Sequence, residues 1–252
     1  MYSDFFLRDI WLKPIADPSQ SYVCTLPVVQ ALGKIQRLSM EAPVTFLVGE
    51  NGAGKSTLLE AIAVAFRLNE EGGSRNFRFS TTQNDDHAPL YPYLGVTRGV
   101  RRPRDSFFLR AESFFNVATE LERIHRWDDT AYLPYGDKSL HSQSHGESFL
   151  SLVCNRFRGN GLYLLDEPEA ALSPQSQLSL LRAIHRLVKN SSQLVIATHS
   201  PILMAYPGAR ILVLQGDTIQ TVPYRETEHY RLTRQFLEQP ERILQLLLDE
   251  ES

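Results

Sequence analysis

The run from Gly49 to Thr57 carries the strongest chemical signal in this sequence. Gly49, Gly54, Lys55 and Ser56 fill the fixed positions of a phosphate-binding loop, with Glu50, Asn51, Gly52 and Ala53 between them. Small residues let consecutive backbone N–H groups point at a phosphate, and the start of a following helix adds positive potential there. Asn51, Gly52, Ala53, Gly54, Lys55, Ser56 and Thr57 are the expected phosphate holders. Lys55 would neutralise β/γ oxygens, and Ser56 would offer a hydroxyl to Mg²⁺. A second signal is the apolar run Leu162 to Leu165 followed by Asp166 and Glu167. Carboxylates at the C-terminal edge of a buried parallel strand lie where ligands of such sheets bind. Asp166 would hold Mg²⁺ through water, and Glu167 would polarise an attacking water. The third is Val195 to Ala197 followed by Thr198 and His199, where the imidazole would reach a terminal phosphate.

These groups need particular elements to hold them. Val44 to Val48 reads as a strand entering Gly49, and Leu58, Leu59, Ile62, Ala63, Ala65 and Phe66 form one face of the helix that follows. The separation of Asp166 from His199 leaves room for one helical crossover, over Gln175 to Lys189, between neighbouring parallel strands. Elsewhere the pattern gives a first strand over Phe5 to Leu12, a helix over Val28 to Leu38, a strand over Ser106 to Ala111 with a helix after it through Arg126, and a helix over Ser148 to Phe157. A hairpin is expected around Gly216 and Asp217, and Ile243 to Leu248 is expected to dock an apolar face on the core. Residues 70–105, with Gly72, Gly73, Pro89, Pro92 and Pro103, read as an irregular exposed insert.

Composition narrows the class. The chain has 252 residues, 42% of them hydrophobic, enough for one large domain and too apolar for a largely disordered chain. No apolar run approaches the roughly 18 residues that a membrane span needs, so no membrane insertion is expected. Asp4, Arg8 and Asp9 interrupt the apolar N-terminus and spoil a signal-peptide core. A net charge of −3 gives no global basic field. Cys24 and Cys154 lack any paired spacing and are expected to be plain buried thiols, which suits a cytoplasmic location.

The order of phosphate loop, Ser144 to Glu147, Asp166 with Glu167, and His199 resembles an ABC-type ATPase over most of residues 40–205. The runs Asp166 to Pro174 and Thr198 to Pro201 are closer to the non-transporter branch, the SMC-like, RecF-like and OLD-like ATPases. The chain looks most like the short, stand-alone bacterial predicted ATPases of that branch. The resemblance implies an α/β P-loop NTPase fold: an ABC-type head with a mostly parallel central sheet, an antiparallel β portion and a small helical region. It implies a single ATPase domain over 1–252, with 106–160 as the helical and signature region and 206–252 as a C-terminal hairpin with helices. ATP and Mg²⁺ are the implied cofactors. Ser144 and Gly146 would contact the nucleotide of a second copy in a homodimer formed on ATP binding, and Ala171, Leu172 and Ser173 would cross the interface. Two residues depart from the pattern: His145 and Glu147 stand where Gly and Gln are usual. No Gln is evident for sensing Mg²⁺; Glu112 is placed for that role, and Gln83 is a weaker candidate.

The stretch from Lys55 to Ser144 is too short for the long coiled coil of SMC-type proteins, and the stretch after His199 is too short for the nuclease domain of OLD-type proteins. The expected molecule is an ATP-hydrolysing head acting on DNA or on a protein effector, in DNA maintenance or phage defence. The alternatives are an ATP-binding subunit of a membrane transporter and a switch that binds ATP and barely hydrolyses it. Tyr91 and Tyr93 with Arg98, Arg101, Arg102 and Arg104 mix aromatics with base as single-strand grooves do, though a solvated loop is the reading preferred from sequence. His141 with His145, and Glu226 and Glu228 with His229, have metal-like composition and are assigned no ligand role.

Overall fold

A computed structural model describes residues 4–15, 22–69, 72–73, 88–112, 114 and 145–248. Ser144, Gln83, His141 and most of the helix expected after Ala111 lie outside the described residues. Strands β3 (Val44–Gly49), β6 (Gly161–Asp166) and β7 (Gln193–Ala197) are buried along their whole length. They form the centre of a six-stranded sheet with β5 (Asp105–Arg110), β8 (Arg210–Gln215) and β9 (Thr218–Thr221), in the order β5-β6-β7-β3-β8-β9. All neighbours are parallel except the β8–β9 hairpin at the edge.

Alternate residues of the central strands serve two cores, which is why these strands read as nearly continuous apolar runs, interrupted by Thr45 in β3 and opened by Gln193 in β7. Leu162, Leu164, Val195 and Ala197 face one side, packing with Leu58 and Ile62 of α2 (Lys55–Ala65) and with Phe6, Ile10 and Leu94 beyond it. Tyr163, Leu165, Leu194 and Ile196 face the other side, against Phe149 of α3 (His145–Arg156) and Leu180 and Ile184 of α4 (Pro174–Lys189). The helix behind the phosphate loop is therefore buried between the large sheet and a small antiparallel one. That second sheet has the order β2-β1-β4, from β1 (Leu7–Leu12), β2 (Leu38–Ser39) and β4 (Leu94–Arg98). The α/β P-loop head with a mostly parallel sheet and an antiparallel β portion is the fold observed.

One buried side chain joins the two sheets. The Gln193 amide at the start of β7 accepts from Phe6 and Leu7 N–H at 3.0 and 2.9 Å, and donates to Leu7 and Met40 carbonyls at 2.8 Å each. Replacing it with Leu strands four backbone groups that no water reaches. Gln193→Leu should lower unfolding stability by about 3 kcal/mol, read as a fall in the urea midpoint at unchanged slope.

Four sequence expectations change. The 70–105 segment is not irregular throughout: 94–98 is β4, paired with β1, because pairing satisfies its backbone and buries Leu94 and Gly95 despite the flanking prolines. The helix expected over 28–38 is α1 (Pro27–Gly33), and Leu38 belongs to β2 instead. Cys24 is only partly buried and Cys154 is exposed. The C-terminal helices α6 (Glu228–Glu238) and α7 (Pro240–Leu248), which follow the short α5 (Pro201–Met204), bury none of their residues. Leu246, Leu247 and Leu248 are 64, 63 and 69% exposed, so 243–248 does not dock on the core. Among the described residues no helix is long and apolar enough to cross a membrane.

Candidate functional site

The loop between β3 and α2 is shaped by glycine. A Cβ at Gly49 would meet the Leu214 carbonyl oxygen at 2.3 Å, so only glycine lets β8 lie this close. Gly54, with φ +92°, is the residue from which α2 starts, and a Cβ there would strike Val28 Cγ1 at 2.5 Å. Lys55 is 4% exposed, and its ammonium donates to the Gly49 and Glu50 carbonyls at 2.8 and 3.0 Å. Burial lowers the Lys55 pKa, opposed by the charges of Glu167, Asp166 and Glu169.

Ser56, in the first turn of α2, donates from Oγ to Asp166 Oδ1 at 3.1 Å. Asp166 and Glu167 leave the C-terminal end of β6 as expected. Glu167 is held in the left-handed region, φ +48° and ψ +49°, with its N–H on the Ala197 carbonyl at 3.0 Å. Such a conformation in a non-glycine residue costs energy and gathers at functional sites. Ser56, Glu112, Asp166, Glu167, Ala170 and Ala171 line one cleft of about 310 Å³. His199, after β7, places Nε2 3.6 Å from Glu167 Oε1. Its backbone N–H donates to Glu169 Oε1 at 2.5 Å. Three neighbouring strand ends thus bring Lys55, Ser56, Asp166, Glu167 and His199 together. Asn51, Gly52 and Ala53 line an adjoining cleft of about 400 Å³, and Thr57 follows Ser56 in α2.

Arg110 is a site residue that the sequence did not single out. It ends β5 opposite Asp166 in the parallel register. Its guanidinium donates toward Glu60 at 2.8 Å and Glu112 at 3.4 Å, and Nε stands 3.5 Å from Asp166 Oδ2. Alignment of the two strand ends was the available signal. Glu112 lies on the cleft rim, but its side chain is 87% exposed and paired with Arg110. It shares the cleft lining with Ser56 and Asp166; among the described residues no group of three His, Cys, Asp or Glu side chains is placed to hold a metal ion. The oxygen donors that do meet are Ser56 Oγ and Asp166 Oδ1, hard ligands of the kind Mg²⁺ takes alongside water and phosphate oxygens. Gly146, at the start of α3, packs on this chain's own Ala171, whose carbonyl oxygen a Cβ would meet at 2.9 Å.

Burial pushes the Asp166 pKa up to about 6, against the lowering effects of Arg110, Ser56 and Lys55. From its ordinary 3.8 up to about 6, the folded chain keeps a proton that the unfolded chain releases. Stability therefore falls as pH rises through that window, and the cost is complete above about pH 6. Asp166→Asn removes it. The variant should match the parent near pH 4 and exceed it by about 3 kcal/mol near pH 8, measured by urea unfolding without nucleotide.

The chain is similar to several known proteins. Residues 148–204 match a family model described as an AAA ATPase domain, and residues 31–91 match one described as an AAA domain. Protein McbF of Escherichia coli is 25% identical over 198 residues, covering 75% of this chain and 76% of that protein. An uncharacterized ABC transporter ATP-binding protein of Haemophilus influenzae is 26% identical over 204 residues, 73% of this chain and 76% of the relative. Among solved structures, the SMC head domain from Thermotoga maritima aligns with a TM-score of 0.45 at 16% identity, over 87% of this chain and 99% of that one. The ABC transporter subunit cbiO1 from Clostridium perfringens aligns with a TM-score of 0.49 at 16% identity, over 96% of this chain and 99% of the other.

Proposed function

We propose that this chain, which carries a P-loop ATPase domain of the ABC type, binds and hydrolyses Mg²⁺–ATP as a nucleotide-driven homodimer that acts on DNA, in maintenance or defence. The observation that carries the reading is the convergence of Lys55, Ser56, Asp166, Glu167 and His199 from adjacent strand ends onto one edge of the sheet. His199 Nε2 is buried without a hydrogen-bond partner, a donor position that a phosphate oxygen would satisfy. The N–H groups of Asn51 to Thr57 cradle the phosphates, Lys55 neutralises them, and Glu167 accepts the proton of the attacking water. Ser56 and Asp166 hold Mg²⁺, which when bound spreads the charge of the phosphate oxygens. Ser144 and Gly146 of a second copy cap the far side of the γ-phosphate, and two-fold symmetry completes both sites together.

The DNA reading is favoured by a cleft of about 390 Å³ at the far end of α2, lined by Phe6, Phe66, Arg67, Arg98, Arg101 and Arg102. All four arginines are exposed; Arg98 donates to the Ala65 carbonyl and lies 5.2 Å over the Phe66 ring, and Arg101 donates to Asn160 Oδ1 at 3.0 Å and stands 3.8 Å from Asp4. The relative in Haemophilus influenzae, an ABC transporter ATP-binding protein, favours the transporter-subunit reading.

Phosphate release from ATP, measured with and without Mg²⁺, duplex DNA and single-stranded DNA, tests both. Absence of Mg²⁺-dependent release overturns the ATPase reading. Release with neither DNA binding nor stimulation by DNA moves the role to transport. If DNA binds in the arginine cleft, Arg67→Ala with Arg102→Ala should flatten the log–log salt dependence of affinity by roughly 0.9 for each DNA phosphate left without its cation. An unchanged slope places DNA elsewhere.

A further inference from the structure

His199 has a neighbour that the phosphate loop, β6 and β7 do not supply. The segment after β9 turns back over the loop, so that Glu226, Thr227, Glu228 and His229 line the same cleft as Gly49 and Asn51. Thr227 fixes this turn. It is buried, its hydroxyl donates to the Tyr224 carbonyl at 2.8 Å, and it caps α6 by accepting from Tyr230 N–H at 3.3 Å. His229, in the first turn of α6, is thereby held with Nε2 3.1 Å from His199 Nδ1. The ring centroids are 5.3 Å apart at 51°, so the contact runs edge to edge between ring nitrogens and is not a stack.

Two neutral imidazoles sharing one hydrogen bond have only two arrangements, and the partner of one nitrogen sets the tautomer of the other. If His199 donated from Nδ1, its Nε2 would carry a lone pair and face Glu167 Oε1, an acceptor 3.6 Å away. That places lone pair against carboxylate in a buried position. If His229 donates, Nδ1 of His199 accepts, its Nε2 carries the proton, and the N–H faces the carboxylate and the space beside the phosphate loop.

We infer that His229 is a positioning residue which donates its Nε2–H to His199 Nδ1, fixing His199 in the Nε2–H tautomer that addresses Glu167 and the terminal phosphate of a bound nucleotide. The phosphate half of this rests on the function proposed above; the tautomer does not. Neutral His229 is what the arrangement requires, and its surroundings supply it. Burial lowers its pKa, the Lys55 charge lowers it further, as a proton added to His199 would, and Glu228 opposes them. His229 also explains why an isolated imidazole at a strand end can act as a defined donor: a ring free at Nδ1 would exchange tautomers.

Nitrogen-15 NMR of histidine-labelled, nucleotide-free protein near pH 8 reads the tautomers directly, at a pH above the ordinary imidazole range. His199 should show a protonated Nε2 and a bare, hydrogen-bonded Nδ1. His229→Met fills the same space without a donor and should give His199 a mixed tautomer, whereas His229→Gln keeps an N–H donor and should restore the single one. The same variants read by ATP turnover should show kcat lowered about 10-fold in His229→Met with KM for ATP little changed, and recovered in His229→Gln. A parent protein with its His199 proton on Nδ1 overturns the inference, as does equal behaviour of the Met and Gln variants. If the parent does not hydrolyse ATP, the NMR result still decides the tautomer and only the ATPase reading falls. If His229→Met fails to fold, the parent spectrum and the Gln variant decide alone.

Discussion

Glu167→Gln should reduce ATP turnover by about 10²- to 10⁴-fold while leaving ATP bound. Gln keeps the size of the side chain and the backbone bond from residue 167 to the Ala197 carbonyl, but it accepts no proton from water. Ser56, Asp166 and Lys55 are untouched, so nucleotide contacts persist and the ATP-bound dimer should accumulate. Light scattering in saturating Mg²⁺–ATP should give a dimer, and in ADP a monomer. Adding Ser144→Arg places bulk and charge in the proposed interface and should abolish the dimer without unfolding the monomer. A Glu167→Gln protein that stays monomeric in ATP, or a dimer indifferent to both nucleotide and Ser144→Arg, would overturn the nucleotide-driven dimer.

Lys55→Ala should weaken ATP affinity at least about 100-fold, roughly 3 kcal/mol. The reason lies in what remains. Asp166, Glu167 and Glu169 all act electrostatically on Lys55, and without its charge they face the phosphates with Arg110 as the nearby cation. Arg110 is itself engaged by Glu60 and Glu112. Truncation also removes the donor shared by the Gly49 and Glu50 carbonyls. Titration calorimetry measures the fall in affinity, with the urea midpoint as the control for folding. Unchanged affinity in a folded variant would sink the phosphate-loop assignment.

Most of the parallel core was legible because its signals are local. A strand covered on both faces is nearly all apolar, and 44–48 (with Thr45 its one polar residue), 162–165 and 194–197 fit that pattern. The β4 strand was not legible. Its neighbours Pro92, Gly99 and Pro103 read as loop, and only pairing with β1 gives the backbone of 94–98 its partners. The exposed leucines of α7 misled for the opposite reason. Helical periodicity says that one face seeks burial; it does not say that this chain supplies the cover. Glu112, singled out for metal sensing, lines the cleft with Ser56 and Asp166, while Arg110, which was not singled out, ends β5 opposite Asp166 and stands 3.5 Å from it.

The sequence by itself determined the chemistry that depends on contiguous backbone. Gly49, Gly54, Lys55 and Ser56 act within one turn, where spacing fixes geometry, and the acids after 162–165 lie at a strand end wherever that strand goes. Charge state and hydrogen-bond direction were decided by the tertiary structure alone. Asp166 is raised by its burial and moderated by Arg110, which parallel register brings from β5. Gln193 reaches Leu7 across 186 residues. His199 meets His229 because the chain after β9 folds back over the phosphate loop. Ionisation and tautomer answer to whatever stands within a few ångströms, and for these side chains those neighbours come from distant parts of the chain.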